Sequence, residues 1–268
     1  MTPSLRRRLL LGVMAAGVTQ ATGSAFRRHH PGGAALWQRA NYRQRTVDLS
    51  GGPAAAGGLL VTALAARSPS AGFVTGAAAA LGVYDDLSGH THARGLRGHA
   101  AALRAGVVTS GMVKMFGLAA AGLAAGPSRP RRSAAVVLDT VLIAGSANLV
   151  NLLDLRPGRA LKVVAALGVP LAVAGGRSGE IAAGAAGVAL VALPSDLGEH
   201  QMLGDCGANA LGAAIGWSLA ARLHGVRRVI AALTVVGLTV ASERMSFTEL
   251  IERTPVLAAV DGWGRRAT

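Results

Sequence analysis

Nine apolar stretches, separated by short polar breaks, constrain this chain more than any other feature. They are Leu9–Ala25, Pro53–Ala66, Ala71–Tyr84, Val107–Gly126, Ser133–Leu153, Leu161–Gly175, Ile181–Pro194, Cys206–Ala221 and Val229–Ala241. A helix needs about 20 apolar residues to cross a bilayer upright, and several of these are shorter. The expectation is an all-α fold: a polytopic integral membrane bundle of about nine transmembrane helices, with eight to ten as the range. The longest polar breaks leave no room for a second domain, so residues 1–268 read as one domain. Only 15% of residues are charged and 51% are hydrophobic, whereas a soluble domain carries about 25% charged residues. Arg6-Arg7-Arg8 before the first stretch resembles a signal peptide, but eight further apolar stretches favour a first membrane helix.

Parity then sorts the polar regions. With nine spans, residues 26–52, 85–106, 154–160, 195–205 and 242–268 share one face. The other face keeps the N-terminus and four short turns near Arg67, Arg129–Arg132, Arg177 and Arg222–Arg228. Every break rich in Asp, Asn and His falls on the first face, which marks it as the active side. The distribution of Lys and Arg slightly favours that face as cytoplasmic. The expectation is a multi-pass protein of the cell membrane, with an outer N-terminus and residues 242–268 as a cytoplasmic C-terminal tail. The net charge of +14 admits nucleic acid, anionic lipid or phosphate partners. Its basic residues sit in short breaks, without a continuous basic helix face or interleaved aromatics, which argues against nucleic acid. A single cysteine, Cys206, excludes an internal disulfide and a cysteine metal site.

Four polar constellations lie on the shared face. Asn41-Tyr42-Arg43-Gln44-Arg45 leads into Gly51-Gly52-Pro53, and guanidinium groups such as Arg45 could grip phosphate or lipid headgroups. Asp85-Asp86 ends an apolar stretch, with His90, His92 and His99 downstream and Lys114 in the next stretch. Paired carboxylates suit Mg²⁺, which takes oxygen ligands and keeps water or phosphate in its shell. Two histidines in a glycine-rich loop, without a cysteine, argue only weakly for zinc. Asn148, Asn151 and Asp154 recur at i, i+3 and i+6, so a helix sets them near one stripe. Such a stripe faces a bundle interior or a polar cavity, whether for interhelical hydrogen bonds or for a ligand. Arg156, Arg159 and Lys162 follow as a basic rim suited to a diphosphate. Finally, Asp205 sits between Gly204 and Gly207, ahead of a small-residue helix, after Ser195, Asp196, Glu199 and His200.

Taken in order, Tyr84-Asp85-Asp86-Leu87, Gly95-Leu96-Arg97-Gly98-His99, Thr109-Ser110-Gly111 with Lys114, Asn148 to Asp154 and Met202 to Asn209 resemble the polyprenyl-phosphate N-acetylhexosamine-1-phosphate transferases. That is the glycosyltransferase family 4 group, which includes the transferase forming lipid I of peptidoglycan. The resemblance runs from about Asn41 to Gly216. It implies an enzyme of cell-envelope glycan biosynthesis, a Mg²⁺-dependent phosphotransferase. A lipid phosphate would attack the β-phosphate of a UDP-sugar and release UMP. The implied catalytic residues are Asp85, Asp86 and Asp205, with the same three as metal ligands. Asn148, Asn151, Asp154, Lys114, Arg45, Arg156 and Arg159 would bind substrate. The implied partners are a polyprenyl phosphate lipid, a UDP-sugar and the membrane, with a homodimer among the assemblies expected. The chain departs from the family pattern at Pro157 and Met202, where an Asp and an aromatic are usual, and it has no histidine in 242–268. The alternative expectation is a non-catalytic relative that binds polyprenyl phosphate or a nucleotide sugar within a cell-envelope complex.

Overall fold

The computed structural model describes residues 1–88, 95–128 and 133–266. His90 and His92, and the turn Arg129–Arg132, lie outside the described residues.

Each of the nine apolar stretches coincides with a helix: α1 (Pro3–His29), α2 (Gly51–Ala65), α3 (Pro69–Ser88), α5 (Ser110–Ala125), α6 (Ser133–Leu153), α7 (Arg159–Ala174), α8 (Gly176–Leu197), α9 (Gly204–Arg222) and α10 (Gly225–Ser242). Three further helices lie in breaks read as polar loop or tail: α4 (Gly95–Arg104), α11 (Phe247–Arg253) and α12 (Pro255–Gly262). The fold is all-α apart from one hairpin. Among the described residues, four helices, α1, α6, α8 and α10, are long and apolar enough to cross a membrane.

Local chemistry sets several helix ends. Thr2 caps α1, its hydroxyl accepting from Leu5 N at 3.3 Å with Pro3 in the first turn. Arg27, Arg28 and His29 close α1 at its negative dipole end. Thr109 caps α5 by accepting from Met112 N at 3.2 Å.

Helix α9 is the centre of the bundle. Nearly all of its residues are buried, including Leu211, Ile215 and Trp217. Its small residues let neighbouring helices approach to backbone contact. A Cβ on Gly212 or Gly216 would overlap α6 backbone at Ser146–Ala147 or Leu142–Ile143. One on Gly82 would overlap the backbone of Asp205, which locks the end of α3 to the start of α9. Close approach of this kind supplies dispersion contacts where lipid gives helices no hydrophobic drive to associate.

The break at 26–52 holds more order than a loop. Strands β1 (Gln38–Ala40) and β2 (Thr46–Asp48) pair antiparallel, with Arg39 opposite Val47. Asn41 makes the turn: its Oδ1 accepts from Arg43 N at 2.8 Å and Arg45 N at 3.0 Å. The hairpin leans on the α8–α9 connection, where Met202 N donates to Asp48 O at 2.9 Å. Asp48 fixes the base, accepting from Ser50 N and meeting His30 Nε2, each at 2.7 Å. Burial alone would raise the Asp48 carboxyl, but these bonds prevail and hold it below its ordinary value.

The described part of the C-terminal tail, up to residue 266, packs against the bundle. Helices α11 and α12 fold back on the start of α7 through Arg159. Its Nε and Nη2 donate to both Asp261 oxygens at 2.8 and 2.9 Å, and its Nη1 donates to Thr248 at 2.8 Å. Lys162 Nζ donates to the carbonyls of Val260, Asp261 and Trp263 at the end of α12, and Arg265 Nε donates to Pro157 O. This corrects the reading of Arg159 as a phosphate ligand. It is 3% exposed, and its donors are engaged within the protein.

Candidate functional site

The ends of α3, α6 and α10, the starts of α5 and α9, the hairpin and α4 meet at one end of the bundle. They enclose a cleft of about 790 Å³. Asp85, Asp86, Lys114, Asn148, Asn151, Asp154 and Asp205 all line it. Residues that are 120 positions apart in sequence, from Asp85 to Asp205, therefore share one cavity.

The two adjacent acids of α3 have different surroundings. Asp85 Oδ2 meets Lys114 Nζ at 2.6 Å, and Asp205 Oδ2 pairs with the same ammonium. Lys114 is thus a cation held between two carboxylates. Asp86 turns to the start of α9, where its two oxygens accept from Asp205 N and Cys206 N, each at 3.0 Å. A carboxylate there satisfies orphan amides and complements the helix dipole. Asp86 therefore acts as the bracket joining α3 to α9, while Asp85 faces the ammonium. Arg39 Nη2 donates to Asp86 O at 2.6 Å and adds a second cation to the rim.

Asp154 follows the last turn of α6, and its Oδ2 is buried without a hydrogen-bond partner. Burial pushes its carboxyl well above the ordinary range, and the charges of Asp196, Asp205 and Asp86 add to that push. A buried carboxyl shifted in this way, bordering a cleft, is a candidate functional group.

Asp154 also borders a second cavity of about 590 Å³, lined by Tyr42, Arg156, Glu199 and Met202 among others. The Arg156 guanidinium lies 4.3 Å from the Tyr42 ring centroid, and that of Arg43 lies 5.3 Å from it. Arg45 is turned from the cleft towards Glu199, 3.8 Å away, while Arg43 bonds the same carboxylate at 2.9 Å.

The cleft also contains residues that the sequence reading did not single out. Arg39 precedes the Asn41 turn by two positions, and only the β pairing turns it inward. Glu243 and Thr239 reach the cleft from the end of α10, a place that parity alone would have given them. His99, which the sequence did mark, also lines the cleft from α4; it meets Thr109 Oγ1 at 2.8 Å, and its ring lies against Gly111, where a Cβ would come within 2.6 Å of it.

Among the described residues there is no group of three or more His, Cys, Asp and Glu side chains placed to hold a metal. The convergent pair is Asp85 and Asp205. Its carboxylate oxygens are the donor type of a hard cation such as Mg²⁺, and both carboxylates are paired with Lys114. At the other end of the bundle, Asp139 is fully buried. It pairs with Arg228 and accepts from Ser128 N at 3.0 Å and Ser128 Oγ at 3.1 Å. Those partners satisfy an acid that would otherwise be costly to bury.

No family model matches the chain, and neither the curated proteins nor the solved structures give a match.

Proposed function

We propose that this chain is a multi-pass membrane enzyme that transfers a sugar-1-phosphate from a UDP-sugar to a polyprenyl phosphate and releases UMP. On this reading it is a relative of the polyprenyl-phosphate N-acetylhexosamine-1-phosphate transferases, with about nine membrane-crossing helices and the cleft on the cytoplasmic face. The observation that carries the proposal is the gathering of Asp85, Asp154 and Asp205 with Lys114, Asn148 and Asn151 in one cleft at one end of an apolar bundle.

Asp85 and Asp205 would hold Mg²⁺, which when bound neutralises the diphosphate and keeps attacking and leaving oxygens in line. Lys114 then shifts from its two carboxylates to a phosphate oxygen. Asn148 and Asn151 orient the donor by hydrogen bonds from the α6 stripe. Asp154 lines the nucleotide side of the cleft, and its unpartnered Oδ2 is placed to bond a substrate group. Asp86 keeps the α3 and α9 acids in register. Arg156 and Arg39 supply positive charge at the rim, where substrate enters. The low charge of the bundle surface suits a lipid acceptor that reaches the cleft from the side.

A second reading is favoured by Lys114 itself. Its ammonium already sits between Asp85 and Asp205, so the protein itself supplies a cation where a metal would bind. On that reading the chain binds polyprenyl phosphate or a nucleotide sugar without turning it over. Incubating the purified protein with undecaprenyl phosphate, Mg²⁺ and a panel of radiolabelled UDP-sugars separates the two. Mg²⁺-dependent labelled lipid and UMP are expected. Saturable binding of a UDP-sugar with no lipid product would favour the binding protein.

A further inference from the structure

An apolar groove of about 480 Å³ opens between α1, α7 and α8, starting at the end of the bundle that carries Arg7 and Glu180. Such a volume is that of an ordinary ligand pocket. Its walls are large apolar side chains left uncovered by the protein: Val13 is 69% exposed, Val173 67% and Leu190 54%. Its floor is bare, because α1 and α8 cross at Gly12 and Gly187, where a Cβ on Gly187 would overlap the Gly12 backbone and one on Gly12 would press on Ala183 O at 3.1 Å.

Arg8 closes one end of the groove. It is only 9% exposed, and its Nε is buried with no hydrogen-bond partner. A buried guanidinium nitrogen without an acceptor costs free energy comparable to a lost hydrogen bond to a charged group. Glu180, on the same end, is taken by Arg7 at 2.7 Å. The Arg8 guanidinium lies over Gly175, where a Cβ would be 3.2 Å from Nη1, at the entry to α8. The first turn of that 22-residue helix presents amides suited to an anion. In the first turns of α1 and α8 the basic residues Arg6, Arg7, Arg8 and Arg177 outnumber the one acid, Glu180, and Arg6 and Arg177 are exposed.

We infer that this groove binds an anionic phospholipid, with one acyl chain along Val13, Val173 and Leu190 and the headgroup phosphate accepting from Arg8. The apolar walls call for a hydrocarbon chain, the orphaned guanidinium for an oxyanion, and the surplus of positive charge for net negative lipid rather than zwitterionic lipid. The site is independent of the cleft and of any activity there.

The test is thermal unfolding of the full chain in detergent, titrated with dioleoyl phosphatidylglycerol, dioleoyl phosphatidylcholine or inorganic phosphate. Phosphatidylglycerol should raise the melting temperature saturably, and the other two should not. Arg8→Gln should raise the concentration for half-maximal stabilisation by about tenfold. Val13→Trp fills the groove from an exposed position and should do the same, which keeps the test decisive if the Arg8 variant fails to fold. Equal stabilisation by phosphatidylcholine would overturn the inference, as would reproduction of the shift by inorganic phosphate. A Val13→Trp protein that responds like the wild type would overturn it too.

Discussion

Replacing Lys114 by methionine keeps the length of the side chain and removes the charge that Asp85 and Asp205 share. The three side chains are 11%, 15% and 25% exposed, so the cluster is largely withdrawn from water. Removing one member of a buried ion cluster costs about 3–5 kcal/mol, because the remaining charges are left uncompensated. The partial exposure of Asp205 puts the lower end of that range here, about 3 kcal/mol. For a chain of this size that is a fall of roughly 6–12 °C in melting temperature. If the two carboxylates form a cation site, Mg²⁺ should take the place of the ammonium in the variant. A ligand at 100 times its Kd adds about 2.7 kcal/mol, nearly the whole loss. The assay is thermal unfolding in detergent, with EDTA and then with a Mg²⁺ titration. The variant should be the less stable protein in EDTA and the more responsive one to Mg²⁺. A Lys114→Met protein as stable as the wild type in EDTA would refute the account of the cluster. Equal responses of both proteins to Mg²⁺ would refute the competition.

Asp205→Asn preserves shape but halves the convergent charge; sugar-1-phosphate transfer should fall below detection while the protein still purifies folded, and retained activity would remove Asp205 from the mechanism. Burial pushes the Asp261 carboxyl up, but Arg159 and Arg265 prevail and hold it below the ordinary value of 3.8. Its contribution is therefore complete above that value and is lost as pH falls through the lower, folded-state value. Limited proteolysis should find residues 247–262 protected near neutral pH and opened only in stronger acid, whereas Asp261→Asn should expose them at neutral pH. Gly216→Ala sets a Cβ against the α6 backbone at Leu142–Ile143 and should cost about 1–3 kcal/mol or more, read as a lower melting temperature without change in the cleft. A reporter fused after Thr268 should be active on the cytoplasmic side, and activity only outside would invert the proposed orientation.

The helices were legible in the sequence because their signal is local. A run such as Ser133–Leu153 is apolar enough to have no other fate, and its boundaries agree with α6 residue for residue. The gathering of acids followed from parity, which needs only the number of apolar segments between Asp85 and Asp205. What the sequence hid depends on partners far along the chain. Arg159 sits in a basic rim by sequence, yet its carboxylate is 102 residues away at Asp261, and nothing local announces that pairing. Arg39 was passed over because three-residue strands rich in polar side chains carry almost no periodic signal. Helix α4 lay in a stretch whose histidines and arginines read as loop, although Thr109 and His99 tie it to the start of α5.

The two neighbouring acids of α3 show how a membrane protein can keep shape and charge in separate hands. Successive residues on a helix point about 100° apart, and here Asp85 turns to the Lys114 ammonium while Asp86 turns to the start of α9. Asp86 and Gly82 fix the distance between two backbones, and Asp85 presents its charge on the frame so made. The gap between Asp85 and Asp205, which the Lys114 ammonium fills, is therefore set by helix-to-helix contact rather than by the charges across it. Whatever cation stands there meets walls that α3 and α9 hold in place.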